Sequence, residues 1–406
     1  MRFALTDDQA ALRDAVRDLL TRECKPAVVR DAWEGGAGAP RVAAVWEKLA
    51  EMGVLGAAVP EEAGGLGLGA CDLVPLLEEA GRVALPLPIV ETAFVGAPLL
   101  AAVGDEDAIG RLVEGDLLVA CALDGADEVP WAGDAGLVLI ADRPGAPIAR
   151  LAAANDGGSA ARTVGSEVGG DHAAASGGAA SSPAAGGVAA APAAAGDGNA
   201  LAQFGGALAA ADSIDAARRV GVLVDRSGAE PLGATDEDCL AAWQRGALGA
   251  AAQLIGLSRA LLAMSVSYAE ERRQFGVPIG TFQAVKHHLA NALLGVEFAA
   301  PAVLRAAWSL DTGAVTADRD VAMAKALASD AAERVAATAL QAHGAIAYTT
   351  EYDLHLFAKQ VWAGSRHWGD AEWQRRRVAA ALGLDDESGA APAGNRRSGA
   401  TEGSAA

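Results

Sequence analysis

Basic residues and paired cysteines are both scarce in this chain of 406 residues. Its 32 Lys and Arg residues face 52 Asp and Glu residues, which leaves a formal net charge of −20. Such a charge repels nucleic acid and anionic membrane surfaces, so neither is an expected partner. The four cysteines stand far apart and form no CxxC pair. They are predicted to be reduced thiols in a cytoplasmic protein, not disulfides or metal ligands.

Signals for export or membrane insertion are also missing. The N-terminus has no basic run followed by an apolar core and a small-residue cleavage site. The Ala- and Gly-rich stretch within residues 152–211 is broken by Gly, Pro, Ser and Asp. A transmembrane helix needs about 20 consecutive, mostly apolar residues. We therefore expect neither secretion nor a membrane span.

The chain is 52% hydrophobic, and its sequence pattern changes twice. Helical patterns begin at the capping box Thr6-Asp7-Asp8-Gln9. Strands are predicted where short apolar runs are bounded by Gly, Asp or Pro, at residues 118–123, 136–141 and 219–225. Long helical stretches then predict an antiparallel four-helix bundle. These helices are Cys239–Tyr268, Phe282–Leu310, Asp318–His343 and Tyr352–Leu382.

These patterns predict a mainly α-helical protein with a small β-domain between two helical units. Residues 152–211 are almost wholly Ala, Gly, Ser and Asp, so they cannot bury enough side chain to offset their ordering entropy. They are predicted to be a loosely ordered insertion. The predicted units are residues 1–113, an N-terminal helical domain; 114–235, a middle β-barrel-like domain holding the insertion; 236–384, the four-helix bundle; and 385–406, a disordered tail.

One motif ends the first helix of the predicted bundle. It reads Glu271-Arg272-Arg273-Gln274-Phe275-Gly276 and continues to Phe282-Gln283. Alone, the charged run would favour a solvated helix end, but the whole order of residues resembles the acyl-CoA dehydrogenase family. In that family the arginine and the polar residue two places on bind the FAD diphosphate and ribose, which suits a bidentate guanidinium. The resemblance assigns these roles to Arg272 and Gln274, with Phe275 beside them.

A second motif, Gln341-Ala342-His343-Gly344-Ala345-Ile346-Ala347-Tyr348, resembles the family loop that approaches the adenosine half of an FAD held mainly by the neighbouring subunit. Gln341, Gly344 and Ala345 are the expected contacts. Ala345 and Ala347 replace two family glycines and add methyl groups where the cofactor passes. His343 and His355 lack the spacing of a metal site, and no metal is expected.

The catalytic glutamate of the family has no counterpart in this chain. The family stretch aromatic-Glu-Gly-Thr falls on His367-Trp368-Gly369-Asp370, which puts Trp368 at the glutamate. An indole only donates a hydrogen bond and cannot take the substrate proton. Other members carry the glutamate at the position of Gly246, which also has no acid in reach. Asp370, close by in the sequence, is a candidate base.

The middle domain departs from the family as well. Residues 122–131 contain neither the Thr nor the Ser of the family's T-E-P-x-A-G-S-D-like loop. Asp124 and Asp127 would put charge beside a flavin ring. The residues that hold a flavin ring and supply a base are therefore degraded together, while those that serve a neighbour's FAD are largely kept.

The resemblance implies α,β-dehydrogenation of an acyl-CoA in fatty acid or sterol degradation, with electrons passing to electron-transfer flavoprotein or a similar acceptor. We predict a subunit that completes a partner's FAD site in a hetero-oligomer resembling the actinobacterial α2β2 enzymes. Two alternatives stay open. The chain could be a self-sufficient homo-oligomeric enzyme that uses Asp370 or an acid of residues 236–238, or a non-catalytic assembly or acyl-CoA-binding protein without flavin.

Overall fold

The computed structural model describes residues 4–153 and 201–384 of the chain. Helices, then strands, then a helical bundle follow one another, which confirms the predicted fold class. The predicted tail, 385–406, lies outside the described residues, and so does most of the predicted insertion. The end of that insertion is corrected, because Leu208–Ala210 is a paired strand.

The N-terminal domain begins as the sequence predicts. The Thr6 hydroxyl accepts the Gln9 amide at 3.2 Å, and the Gln9 side chain accepts the Thr6 amide at 3.0 Å. The helices are α1 (Asp7–Glu23), α2 (Pro26–Gly35), α3 (Pro40–Glu51), α4 (Ala70–Arg82), α5 (Ala97–Ala102) and α6 (Glu106–Val113). A π-helical segment, Val90–Gly96, leads into α5.

The middle domain contains the three predicted strands and several short ones that the sequence did not indicate. Their order is β1-β3-β4-β7 in one sheet and β2-β6-β5 in the other. The first two predicted strands pair in parallel, with Val119 opposite Leu137. The strands are β1 (Val119–Ala122), β2 (Glu128–Val129), β3 (Leu137–Ile140), β4 (Ala149–Ala152), β5 (Leu208–Ala210), β6 (Gly221–Leu223) and β7 (Glu230–Pro231).

The C-terminal bundle keeps three of its four predicted helices intact. Pro301 lies inside a continuous helix and does not split it. The predicted fourth helix is broken at residues 367–370, because Gly369 adopts φ +80° and Asp370 caps a new helix. The helices are α7 (Asp236–Glu271), α8 (Gln283–Asp311), α9 (Ala317–His343), α10 (Leu354–Arg366) and α11 (Ala371–Ala381), with a small hairpin of β8 (Arg273–Gln274) and β9 (Val277–Pro278) after α7.

Close contacts join the bundle to the N-terminal domain. A Cβ on Gly256 of α7 would lie 1.9 Å from the Glu78 carbonyl oxygen of α4, so only glycine lets the two helices approach this far. The Asp311 carboxylate accepts the amides of Ala70 and Cys71 at 2.6 and 2.8 Å. This carboxylate caps the start of α4. Its negative charge also interacts favourably with the positive end of the helix dipole.

Candidate functional site

The two positions where the resemblance places an acid lie in contact. Trp368, at the break between α10 and α11, is 1% exposed. A Cβ on Gly246 of α7 would stand 2.3 Å from a ring carbon of this indole. Only a glycine therefore leaves room for the ring. Trp368 also packs against Trp243, with ring centroids 5.4 Å apart, so it fills the space beside both positions.

A buried carboxylate that the sequence reasoning missed faces this indole. Glu91, on the π-helical segment, is 4% exposed. Its Oε1 accepts a hydrogen bond from Trp368 Nε1 at 3.4 Å and lies 3.5 Å from His367 Nδ1. Burial raises the pKa of Glu91, and the charge of Arg218 opposes that rise. Glu91 is thus a carboxyl group beside the place where the family keeps its base.

Arg218 brings the middle domain to the same place. It is 8% exposed, its Nε lies 3.7 Å from Asp215 Oδ2, and its guanidinium lies 5.6 Å from the ring centroid of Trp131. Burial lowers the pKa of His367 well below its usual value, which keeps the ring neutral. We call Glu91, Arg218, Gly246, His367 and Trp368 the closed corner.

The closed corner encloses little free space. The cavity lined by Glu91, Arg218, His367 and Trp368 has a volume of about 20 Å³. A water molecule needs roughly 10–15 Å³ on this measure, so the cavity holds about one water. An acyl chain does not fit in this conformation.

The loop that carries Trp368 is held in an uncommon backbone conformation. Trp368 has φ +61°, which bulky residues rarely adopt and which needs support from its surroundings. Gln374 donates a hydrogen bond to the Trp368 carbonyl at 2.7 Å. Lys325, fully buried on α9, donates to the carbonyls of Ser365 and Gly369, each at 3.1 Å. These bonds fix both ends of the loop.

The remaining acids named by the sequence have structural partners. Asp370 accepts the Trp373 amide at 2.8 Å and so caps α11. Asp370 is not among the residues that line the cavity. Asp238, from the acidic run 236–238, forms a capping box with Thr235 at the start of α7. Neither position gives a carboxylate that faces the closed corner.

The residues expected to hold FAD form an exposed surface at the far end of α7. Arg272, Gln274 and Phe275 are all exposed, and Phe275 is 93% exposed. Gln341 is exposed at the end of α9, and a Cβ on Gly344 would meet no atom within 4 Å. We call Arg272, Gln274, Phe275, Gln341 and Gly344 the open edge.

An aromatic stack brings the two halves of the open edge together. Tyr268, one turn before Arg272, stacks on His343 with ring centroids 4.4 Å apart. His343 Nε2 lies 3.2 Å from the Tyr352 hydroxyl. The stack joins the ends of α7 and α9, so the two motifs lie next to each other. Exposed guanidinium and amide groups beside open backbone suit a dinucleotide.

Comparison with known proteins identifies the family. Residues 6–114 match the model of the acyl-CoA dehydrogenase N-terminal domain, and residues 240–383 match that of the C-terminal domain. The chain belongs to the acyl-CoA dehydrogenase family. This family comprises FAD-dependent oxidoreductases, so the enzyme class expected from the two motifs is confirmed.

Particular relatives of this acyl-CoA dehydrogenase chain cover nearly all of its length. It is 27% identical to the acyl-CoA dehydrogenase IpdE2 of Mycolicibacterium smegmatis, over 93% of this chain and 99% of the relative. The ChsE4–ChsE5 complex from Mycobacterium tuberculosis matches with a TM-score of 0.71 and 23% identity, covering 95% of this chain and all of the other. The Tcur3481–Tcur3483 steroid ACAD G363A variant matches with a TM-score of 0.72 and 23% identity, covering 93% and 98%.

Glu91 and Arg218 were not predicted as site residues from the sequence, although the sequence around Glu91 contains a signal. Glu91 is the only charged residue between Arg82 and Asp105, and an isolated acid in a long apolar run is a buried acid or a functional one. Arg218 follows the low-complexity stretch and has no motif around it. Nothing local could have assigned it to an acyl-CoA dehydrogenase site.

Proposed function

We propose that this chain is one subunit of a two-chain, FAD-dependent acyl-CoA dehydrogenase. It lacks its own catalytic glutamate and completes the FAD site of a partner subunit, which supplies the base. The observation that carries the proposal is the contrast between a filled base position and an exposed dinucleotide surface within one chain.

The closed corner supports the first half of the proposal. Abstraction of the proton next to a thioester needs a carboxylate in a dry pocket that also has room for the acyl group. Trp368 stands where that carboxylate is expected and can only donate a hydrogen bond. The adjoining cavity of about 20 Å³ has no room for an acyl chain. Glu91 is a buried carboxyl group in this pocket, but it is hydrogen-bonded to Trp368, and the room that an acyl group needs beside it is missing.

The open edge supports the second half. Its guanidinium and amide groups are exposed, and the neighbouring helix α8 presents apolar residues to the outside. Phe298 is 73% and Leu294 54% exposed. Both α7 and α8 are long and apolar enough to cross a membrane, but an apolar window of α7 is 78% buried and that of α8 only 28%. An apolar face beside polar recognition groups is typical of a protein interface.

Specific roles follow for the residues of the open edge. Arg272 would pair with the diphosphate, Gln274 with the ribose, and Gln341 and the backbone of Gly344 and Ala345 with the adenosine half. When bound, FAD supplies the acceptor for the hydride that leaves the carbon β to the thioester. In this scheme the chain's own residues bind and orient the dinucleotide, and the proton transfer belongs to the partner.

Co-purification tests the proposal. The full chain is produced alone and with a candidate partner chain that keeps the family's glutamate and glycine loop. Flavin absorbance and acyl-CoA-dependent reduction of an electron acceptor are then measured. We expect activity only from the pair. A yellow, fully active homo-oligomer from this chain alone contradicts the proposal, and a colourless preparation even after co-expression favours a non-catalytic role.

Arg272→Gln in the active pair tests the FAD role directly. A hydrogen bond to a charged group contributes about 1.5–3 kcal/mol, so FAD affinity should fall by roughly 10–100-fold. Arg273→Gln is the matched control, because Arg273 is exposed next to it and donates to the Gly276 carbonyl at 3.1 Å. Equal FAD loss in both variants would argue against a specific diphosphate contact.

A further inference from the structure

The closed corner gathers one side chain from each domain beside the two positions where the resemblance places the catalytic acid. Glu91 comes from the N-terminal domain, Arg218 from the middle domain, and Trp368 from the bundle. All three line the same cavity. Each is nine-tenths or more buried. Side chains therefore fill a junction between domains that a ligand could otherwise occupy.

Trp368 is held in this junction from several directions. Its indole packs against Gly246 and Trp243. Its Nε1 donates a hydrogen bond to Glu91. Its backbone carbonyl accepts from Gln374. Rotating the indole away would break these contacts together, and protein interiors deform little around a single side chain. The ring is therefore fixed in place.

The neighbouring helix contacts close the same space from the other side. A Cβ on Gly249 of α7 would lie 2.7 Å from Val90 and 3.1 Å from Phe94. Both residues belong to the π-helical segment that carries Glu91, and every residue of that segment is buried. The π-helical segment thus packs Val90 and Phe94 against α7. The same segment places the Glu91 carboxyl within hydrogen-bond distance of Trp368.

We infer that Glu91, Arg218 and Trp368 form an internal plug that excludes an acyl thioester from this chain's own pocket. Trp368 fills the volume, while Glu91 and Arg218 place polar groups where an aliphatic chain would need an apolar lining. The inference rests on the proposed function for the chemistry of the excluded ligand. It goes further by naming the residues that determine the exclusion.

Trp368→Gly is the variant that should open the pocket. Glycine accepts φ +61° without strain, so the loop keeps its conformation when the indole is removed. Trp373→Ala is the matched control. Trp373 packs on Trp243 with centroids 5.4 Å apart but does not line the cavity. Trp368→Leu provides a second, milder opening should the glycine variant fail to fold.

The experiment compares butyryl-CoA with free CoA, using equilibrium dialysis against the full chain without flavin. The wild-type chain and Trp373→Ala should bind the two equally well or not at all. Each methylene buried contributes about 0.8 kcal/mol, so Trp368→Gly should bind butyryl-CoA at least about tenfold more tightly than CoA. Circular dichroism confirms that each variant is folded.

Two results would overturn the inference. One is a wild-type chain that already prefers butyryl-CoA, because its pocket would then be open. The other is a folded Trp368→Gly or Trp368→Leu chain without any preference, because Trp368 would then not close the pocket. Neither measurement uses flavin or a partner chain. A negative result here therefore contradicts only the plug, whereas the co-purification experiment tests the two-chain function separately.

Discussion

The closed corner meets α7 at Gly246 and the open edge begins where α7 ends, at Arg272, but the two regions have opposite environments. Gly246 and Arg272 are 26 positions apart on and just after α7, about 39 Å along the helix axis. At one end, Trp368 and Glu91 are almost fully buried and make contacts within the chain. At the other, Phe275 is 93% exposed and the polar groups face outward.

One fold thus contains a region with little free space and a region that is exposed to ligands. Side chains that are packed against one another inside the chain, as in the closed corner, leave little room for a ligand between them. Exposed side chains, as at the open edge, add little to stability and remain accessible to a cofactor or subunit. The comparison predicts that substitutions in the closed corner change the free energy of unfolding, whereas those at the open edge change assembly and FAD binding.

Arg218→Met should have the largest effect on stability. It breaks the buried pair of Arg218 with Asp215 and removes a positive charge near Glu91, and breaking a buried pair costs about 3–5 kcal/mol. Urea denaturation of the full chain measures the loss. The loss should shrink as the pH is lowered toward the ordinary carboxyl pKa of about 4, because burial raises the folded pKa of both acids, so they take up protons above that pH and no longer need the cation.

Arg226→Met is the control for this substitution. Arg226 pairs with Asp142 and Asp127, whose side chains are 88% and 70% exposed. Exposed pairs contribute about 0–1 kcal/mol, so this variant should lose little. Similar losses in both arginine variants would remove the distinction between the closed corner and the surface.

Lys325→Met should change how stability depends on pH. Burial lowers the pKa of Lys325 from 10.5 to about 7. Between these values the folded chain has released the proton and the unfolded chain retains it, so the free energy of unfolding rises with pH by up to about 1.4 kcal/mol per unit. The wild-type chain should therefore gain roughly 2 kcal/mol relative to Lys325→Met from pH 7 to 9.

Denaturation curves at several pH values check this prediction for Lys325. Lys286→Met, at an exposed position of α8, is the control and should run parallel to the wild type. A constant difference between wild type and Lys325→Met across the interval would show that the folded chain keeps the Lys325 proton.

Phe275→Ser should have the smallest effect on the isolated chain, less than about 0.5 kcal/mol, because surface substitutions rarely change stability more. The same change should weaken association with the partner chain, measured by analytical ultracentrifugation. Val315→Ser is the control, since Val315 is fully exposed in the turn between α8 and α9 and outside the open edge. Unchanged association would place the interface elsewhere.

Local patterns predicted a large part of this protein. The Thr6 capping box, three of the strands and three bundle helices lie where periodicity and capping residues indicated them. The break in the fourth helix also had a local signal, because Gly369 followed by Asp370 is a helix stop followed by an N-cap. The π-helical segment had none, since its residues read as an ordinary apolar helix.

The sequence by itself determined the helix-strand-helix order, the family and the residues of the open edge, because hydrophobic periodicity, capping and contiguous motifs act over a few neighbouring positions. Only the tertiary structure decided the closed corner. Glu91 and Trp368 are 277 positions apart, and their contact depends on how three domains pack around Gly246. The domains pack closely there, so the side chains of the closed corner fill almost all of the space between them.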